Sequence, residues 1–429
     1  MLAPGEAPSL LDLADLERQR KAPATAHRLA SWSLILRPME PRSLAERAAA
    51  SVELDAIDDA LAETAMALVR DPAHVRAWGN RGEAFYRLAD YEAAKDCGKR
   101  ALMLAGNDPD VRANLGAYRL AAGDLSAGWR LFRNRPARRQ IRRADLPRWT
   151  GESGVRLLVL AEQGLGDELL FSSMWSDLDR RIADGGLASV KVEADRRIIA
   201  LGSRACPHLT WHPRLSPEAS GEHLTHWCLA GDLLEMLRPT LSDFGGSRSG
   251  LAPDPGLVDK WVNWMDQNAG GRPAVGLCWR SGSLAGHRQR HYPAIEDCAP
   301  ILLQKDRFFV VLQYDECERE VSGAPLGQGS EVAFPPGLDR RNDQEGVAAL
   351  MAALDLVVSA DTAVLALAGA LGVPALGFVL HPGWVGLGQP GHPWFPSVER
   401  LYRPPTIPWK QTMTSVAERV DALLNPRPV

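Results

Sequence analysis

Three short loops carry the residues that could do chemistry, and the first follows the apolar run 155–161. It contains Gln163, Gly164, Gly166 and Asp167. The glycines allow a tight turn that brings backbone N–H groups close to a ligand, and Asp167 could act as a general base toward an acceptor hydroxyl. The same residues would also make a plain strand-to-helix turn with Asp167 as a helix cap. The loop alone therefore leaves both interpretations open.

The second loop follows the run 355–360 and contains Asp361, Thr362 and Ala363. It opens a predicted helix over 361–371, and the first-turn amides of such a helix form a potential phosphate site. Considered alone, this loop favours the structural interpretation, in which Asp361 and Thr362 cap the helix.

The third loop follows the run 274–280 and begins with Arg280, Ser281 and Gly282. Three further basic residues follow: His287, Arg288 and Arg290. A cation-rich loop at the end of a strand suits a pyrophosphate, although a solvated basic turn has the same composition. Two such loops in one half of the chain are more specific than either alone.

Alternating strands and helices must position these loops. Apolar runs at 155–161, 188–194, 274–280, 308–314, 355–360 and 374–379 alternate with helical stretches. This alternation predicts parallel sheets with right-handed crossovers, whose C-terminal edges bind ligands. The Pro-, Gly- and Ser-rich segment 239–256 divides the region into halves at 151–250 and 257–429, the second ending in a helix.

The front of the chain shows a 34-residue period between residues 78 and 132. Asn80 recurs as Asn114, Gly82 as Gly116, and Asp90 as Asp124. This region resembles the tetratricopeptide repeat (TPR), which has the same period. We therefore predict TPR-like helical repeats and a linker helix over 46–150, after an irregular or partly helical segment over 1–45. The repeats could hold a partner peptide or brace the next domain, and the sequence does not choose between these roles.

Composition narrows the classes of protein. The net charge is −4, so no global field attracts nucleic acid or anionic lipid. The six cysteines are scattered without a C-x-x-C pair, which fits a reducing compartment. No apolar run reaches the ~18 residues of a membrane helix, and no signal-peptide pattern is present. We expect a cytoplasmic protein without an integral membrane segment, a metal site or a cofactor.

As ordered blocks, the motifs resemble those of bacterial TPR proteins with a C-terminal glycosyltransferase domain. The blocks are PRWTGE (147–152), LLVLAEQGLGDELLF (157–171), VGLCWRSGS (275–283), ALMAALDLVVSADTAVLALAGALGVP (349–374) and PWFPS (393–397). The chain is similar to heptosyltransferases and, more distantly, to protein O-linked sugar transferases. The resemblance implies an α + α/β protein: an N-terminal TPR-like helical repeat followed by a GT-B fold of two Rossmann-like halves.

The resemblance also implies site roles. Asp167 matches the catalytic base. Asp361 and Thr362 match residues that contact the donor phosphates, and we add Arg280, Ser281, Gly282 and Ala363 to that donor site. Gln163, Gly164, Gly166 and His381 complete the set as acceptor or loop residues. The implied activity is transfer of a sugar from a nucleotide sugar to a protein or glycan hydroxyl, such as flagellin or another surface protein, with a protein acceptor held by the repeats.

One departure favours an alternative. The family usually has a His four residues after the Thr of the second loop, where this chain has Ala366. Either Arg280 or His381 substitutes for that imidazole, or the donor differs, or the domain is a non-catalytic binding or scaffold relative. A nicotinamide-dependent oxidoreductase is a weaker alternative, because Leu169 replaces the third glycine of the dinucleotide fingerprint.

Overall fold

The computed structural model describes residues 7–141, 145–215, 223–244, 250–282, 291–404 and 407–425. The chain divides into two compact units. The helical unit comprises the described parts of 1–136, 283–291 and 381–388. The α/β unit comprises those of 137–282, 292–380 and 389–429.

The helical unit consists of four antiparallel helix pairs. In chain order its helices are α1 (Ala7–Gln19), α2 (Pro23–Leu36), α3 (Pro41–Glu53), α4 (Ile57–Arg70), α5 (Val75–Arg87), α6 (Tyr91–Ala105), α7 (Pro109–Ala121) and α8 (Leu125–Phe132). The first helices of the pairs begin at residues 7, 41, 75 and 109, and the second helices at 23, 57, 91 and 125. Every step is 34 residues, the period of the tetratricopeptide repeat.

The backbone of the turn inside each pair repeats with the same period. Lys21, Asp55, Ala89 and Gly123 all have positive φ, between 61° and 85°. The prediction of an irregular or partly helical segment over 1–45 is therefore corrected, because α1 and α2 form a full repeat. The repeats extend over 7–132, and the predicted linker helix is the short α9 (Pro136–Gln140).

The helical unit has a core of small side chains with a buried ion network beside it. Alanines 48, 60 and 84 pack with Val52 and Ile57 between α3, α4 and α5. Glu46 is buried and ion-paired with Arg18 and Arg76 of the flanking pairs. Small residues let the helices approach closely, and the shared carboxylate links three consecutive pairs.

The α/β unit contains two sheets in which all strand pairs among the described residues are parallel. The first has the order β3-β2-β1-β4, and the second β10-β9-β8-β5-β6-β7. Counted from its own first strand, the second sheet has the order 3-2-1-4-5-6 of doubly wound dinucleotide-binding sheets. The strands are β1 (Arg156–Leu160), β2 (Ser189–Ala194), β3 (Thr210–Pro213), β4 (His226–Leu229), β5 (Ala274–Cys278), β6 (Phe308–Val311), β7 (Glu331–Ala333), β8 (Leu356–Ala360), β9 (Ala375–Val379) and β10 (Val398–Tyr402).

Helices connect the strands and cover the sheets. They are α10 (Leu165–Phe171), α11 (Trp175–Ala183), α12 (Ile199–Ala205), α13 (Leu233–Leu237), α14 (Pro255–Ala269), α15 (Ala299–Leu302), α16 (Glu318–Ser322), α17 (Gln344–Ala352), α18 (Ala363–Ala370) and α19 (Trp409–Leu424). The predicted parallel α/β architecture is confirmed, and the strands at 155, 274 and 355 lie in parallel sheets as expected. Strands β7 and β10 were not predicted from the sequence. Helix α14 begins at Pro255, inside the predicted linker 239–256.

Candidate functional site

Two of the three loops meet at the C-terminal edges of the sheets. The loop after β1 leads into α10, and the loop after β8 leads into α18. The two helices pack together at their N-terminal ends: a Cβ added to Gly166 would lie 3.8 Å from the Cα of Ala363. The sequence-predicted residues Gly166 and Ala363 are therefore neighbours, and this contact brings the carboxylates of Asp167 and Asp361 into one site.

The loop around Asp167 is held in shape by its own hydrogen bonds. Gln163 has a φ of 61°, the left-handed region that non-glycine residues rarely adopt. Gly164 is the N-cap of α10, and its N–H donates to Oδ2 of Asp167 at 3.2 Å. The Asp167 N–H donates back to the Gly164 carbonyl at 3.1 Å. Asp167 therefore does cap the helix, as the simpler interpretation predicted, and it does so inside the candidate site.

Two buried glutamates fix this loop from either side. Glu162 accepts from the N–H of Gly231, which follows β4, at 2.6 Å. Glu168 accepts from the N–H of Asp195 after β2 at 2.8 Å and forms an ion pair with Arg214 after β3. Together the two carboxylates connect the ends of all four strands of the first sheet. These roles of Glu162 and Glu168 were not predicted, although both residues flank the candidate loop 163–167 in the sequence.

Arg214 contacts both α10 and the loop that precedes it. Its Nη1 donates to the carbonyl oxygen of Gln163 at 3.0 Å while its guanidinium binds Glu168. A single arginine thus holds both the helix that carries Asp167 and the left-handed residue that precedes it. No sequence signal identified Arg214, because its partners lie 46 and 51 residues away in the chain.

The site raises the pKa of its carboxyl groups. Burial raises the pKa of Asp167, and the negative charges of Glu162 and Asp361 act in the same direction, against the Gly164 hydrogen bond. The Asp361 side chain is exposed, but desolvation by the surrounding protein raises its pKa. The positive charge of Arg400 acts in the opposite direction and lowers it. A carboxylate with a raised pKa is a stronger base, which is the property that a general base requires.

Thr362 lies between the second and third loops. It is the N-cap of α18, and its Oγ1 accepts from the Val364 N–H at 3.3 Å. The same hydroxyl lies 3.9 Å from Sγ of Cys278, the last residue of β5. Thr362 and the first turn of α18 therefore face the C-terminal end of β5.

The third loop departs from its predicted role at Arg280. Arg280 is buried, and its guanidinium is ion-paired with Asp315 and Glu320. Burial alone would lower its pKa, but the hydrogen bonds that the guanidinium donates to these two carboxylates raise it. The structure thus gives the Arg280 cation two protein partners, and a phosphate contact would require both pairs to open.

Ser281 and Gly282 pack against the ring of Tyr314. The Gly282 N–H donates to the Tyr314 hydroxyl at 2.9 Å, and that hydroxyl lies 3.4 Å from Ser281 Oγ. A Cβ on Gly282 would come within 2.7 Å of the Tyr314 ring, which explains the glycine. His287, Arg288 and Arg290 lie outside the described residues.

His381 belongs to the helical unit, not to the α/β unit that contains the loops. Its ring packs edge-on against Tyr86 of α5. Burial lowers the pKa of His381 to about 4, and the charges of Arg87 and His291 add to this effect. His381 therefore lies among residues of the repeats, and its role as a substitute for the missing imidazole stays a prediction.

The segment that contains His381 is bound by the helix pairs. Two tyrosine hydroxyls accept from its backbone: Tyr91 from the Gly383 N–H at 3.1 Å and Tyr86 from the Trp384 N–H at 2.7 Å. The Trp384 ring lies against Trp129 and Phe132 of α8. The turns of the last two repeats thus already hold a peptide segment, and it comes from this chain.

The described cavities lie at the opposite edge of the second sheet. One has a volume of about 900 Å³ and lies between the turn after α14, α15 and α19. Polar groups there already serve the fold: Arg272 donates to the carbonyl of Ala269, and Arg307 pairs with Asp421. These cavities are gaps between helices and sheet without converging polar groups, so they do not compete with the loops as a candidate site.

Neither a membrane-spanning helix nor a metal-binding cluster occurs among the described residues. No helix there is long and apolar enough to cross a membrane. No group of three or more His, Cys, Asp or Glu side chains in the described part is placed to hold a metal ion.

The chain is similar in sequence to a curated protein. The chain is 34% identical over 369 residues to Protein FlbA of Caulobacter vibrioides, which covers 81% of this chain. It spans 61% of the length of that relative. No family model matches the chain.

Solved structures of TPR proteins are similar to part of this chain. They include the Sgt2 TPR domain of Aspergillus fumigatus (27% identical, TM-score 0.25, 27% of this chain and 77% of that one). A thermophilic TPR protein of Thermus thermophilus is another (18% identical, TM-score 0.28, 30% of this chain and 72% of that one). TM-scores this low do not establish a shared fold. The assignment of the repeats therefore depends on the 34-residue spacing of the helices.

Proposed function

We propose that this chain is a glycosyltransferase of the GT-B type, which moves a sugar from a nucleotide-sugar donor to a protein or glycan hydroxyl. One observation carries the proposal: the loop with Asp167 and the loop with Asp361 and Thr362 meet at the C-terminal edges of two parallel sheets. Ligands of open α/β sheets bind at such edges. The motif resemblance to heptosyltransferases gives these same residues the base and phosphate roles.

The reaction assigns one role to each group. Asp167 takes the proton of the acceptor hydroxyl, whose oxygen attacks the anomeric carbon of the donor. The bond from that carbon to the nucleotide phosphate breaks, and the phosphate leaves with the electron pair. The N–H groups of the first turn of α18 and the Thr362 hydroxyl stabilise the charge on the leaving phosphate.

The acceptor and location follow from the same proposal. The acceptor hydroxyl belongs to a protein or a glycan; flagellin or another surface protein is one such acceptor, and the helical repeats would bind it. The protein works in the cytoplasm, where nucleotide sugars serve as donors. Its six cysteines, all described, are buried free thiols, as expected in a reducing compartment.

Nucleotide binding tests the donor half of the proposal. We expect UDP, GDP, CMP or ADP to raise the melting temperature of the α/β unit, because a ligand at 100 times its Kd stabilises by about 2.7 kcal/mol. Thr362→Val should weaken the shift. Asp254→Ala is the matched control: Asp254 caps α14 just as Thr362 caps α18, but it lies outside the three candidate loops. An equal loss of the shift in both variants would contradict a phosphate role for Thr362.

A second candidate function has a specific observation in its favour. Asp361 and Asp167 place negative charge where a donor phosphate would lie, Arg280 is occupied by Asp315 and Glu320, and Ala366 supplies no imidazole. These features favour a non-catalytic binding or scaffold protein that retains the fold. The absence of a melting shift with all four nucleotides would select this function over the transferase.

A further inference from the structure

Three exposed apolar side chains recur at one position of successive repeats. Ile35, Val69 and Met103 lie near the C-terminal ends of α2, α4 and α6, and each is 34 residues from the next. They are 74%, 80% and 70% exposed. We call these three residues the ladder.

Single exposed apolar residues are common on protein surfaces and need no explanation. The ladder is different because its members are concentrated at one repeat position. Among the described large apolar residues only four are more than two-thirds exposed, and the ladder supplies three of them; Leu215 is the fourth. A protein gains nothing in its own stability from side chains that stay in water, so the recurrence indicates a surface that another molecule covers.

The ladder lies on the outer side of the repeats. The first helices of successive pairs pack against one another, α1 on α3, α3 on α5 and α5 on α7. The second helices turn their small residues, such as Ala67 and Ala101, toward these neighbours. Val69 and Met103 lie two residues further along, about 200° around the helix, and therefore point away from the repeats.

The charge around the ladder has one predominant sign. Within four residues of its members, in 31–39, 65–73 and 99–107, four residues are basic and one is acidic. The basic residues are Arg37, Arg70, Lys99 and Arg100. The acidic one, Asp71, already accepts from the Ala73 N–H. An occupant with complementary charge is acidic.

The spacing fits a helix that lies across the repeats. Helices pack 8–10 Å apart, so ladder members on successive outer helices are on the order of 10–15 Å apart. A partner helix rises about 10.5 Å per seven residues, so apolar residues one heptad apart can meet successive members. Trp32 and Leu104 are also partly exposed. They lie near Ile35 and Met103 in the sequence and enlarge the apolar surface at the two ends of the ladder.

We propose that the ladder is a docking surface for an amphipathic α-helix of a partner protein, with apolar residues along one side and acidic residues flanking them. The surface uses the outer helices, not the turns that hold the segment 381–388. The proposal does not depend on the transferase activity, since neither nucleotide nor sugar enters it.

Fluorescence anisotropy with a labelled peptide and the full chain tests the proposal. The probe is a helix of about three heptads with Leu at positions a and d and Glu at e and g, where the like charges keep the peptide from pairing with itself. We expect binding to the wild type and at least a tenfold weaker affinity for Ile35→Ser/Val69→Ser/Met103→Ser. The control Val262→Ser/Leu303→Ser/Leu423→Ser changes three exposed apolar residues of the α/β unit and should bind like the wild type.

Charge reversal adds a second arm. Arg70→Glu/Arg100→Glu should weaken the acidic probe and strengthen a matched probe with Lys at e and g. Three results would overturn the proposal: no binding of the acidic probe to the wild type, equal affinity for the ladder variant, or a concentration-dependent dimer that the ladder variant abolishes. The last result, measured by light scattering, would assign the surface to a second copy of this chain.

Discussion

The buried carboxylate of Glu168 gives the most direct test of how the candidate site is built. It is 2% exposed, accepts from the Asp195 N–H and pairs with Arg214, which in turn holds the Gln163 carbonyl. Glu168→Ala removes the connection between α10 and the ends of β2 and β3. Glu168→Gln keeps an acceptor for the Asp195 N–H and loses only the charge.

The expected cost follows from the burial of the pair. Removing one partner of a buried ion pair costs about 3–5 kcal/mol. The Arg214 side chain is 34% exposed, so water can solvate its guanidinium when the carboxylate is gone. We therefore expect Glu168→Ala to cost about 2–4 kcal/mol, and Glu168→Gln about half as much because one hydrogen bond survives.

Hydrogen exchange is the suitable measurement, because a chain of two units does not unfold in one step. Protection of the amides in β2, and of the Asp195 amide that follows it, should fall in the order wild type, Glu168→Gln, Glu168→Ala. Helices α3 and α4 of the helical unit serve as the internal control. Unchanged protection of β2 in Glu168→Ala would refute the structural role of this carboxylate.

Two further predictions use single substitutions. Since the folded state raises the pKa of Asp167, ionisation of this carboxyl destabilises the fold above its unfolded pKa. Asp167→Asn should therefore raise the melting temperature at pH 7, with the gain shrinking as the pH falls toward 4, and a gain that does not change with pH would contradict this origin. Gly388 has a φ of 70°, and its Cβ would lie 2.9 Å from the Gly123 nitrogen, so Gly388→Ala should cost about 1–3 kcal/mol and increase hydrogen exchange in 381–388. Gly391→Ala, with open space around its Cβ, should leave exchange there unchanged.

The repeats show where sequence identity fails as a guide to backbone conformation. The sequence analysis found the period between 78 and 132 from recurring Asn, Gly and Asp residues. It missed the first pair because the turn positions Lys21 and Asp55 share no chemistry with Gly123. What repeats there is one left-handed backbone conformation, which tight packing of the following helix imposes on any residue type.

The strands were predictable in proportion to their burial. The runs that form β1, β5, β8 and β9 are almost continuously apolar, and each is buried on both faces. The missed strands β7 and β10 are at the edges of their sheet and only partly buried. An edge strand needs no continuous apolar run, so its sequence carries a weaker signal.

The site was predictable at the level of loops but not of side-chain partners. The strand ends of a parallel sheet share one edge, so the position of each loop at the C-terminal edge of its own sheet follows from topology. The meeting of the Asp167 and Thr362 loops depends on the packing of α10 against α18, because β1 and β8 belong to different sheets. The pairing of Arg280 depends on Asp315 and Glu320, which are 35 and 40 residues away. Such pairings are decided by tertiary packing, and a basic residue after a strand does not reveal whether its charge is already neutralised.

The helical unit has room for both roles that its sequence left open. The segment 381–388 is held by Tyr91, at the start of α6, and by the turn at Gly123. Met103 of the ladder is twelve residues further along α6, which corresponds to about 18 Å of helix. A partner on the ladder therefore need not displace the segment from its tyrosines. Gly388→Ala, which loosens the segment, should leave the affinity of the acidic probe peptide unchanged, and a shift of that affinity would show that the two surfaces are coupled.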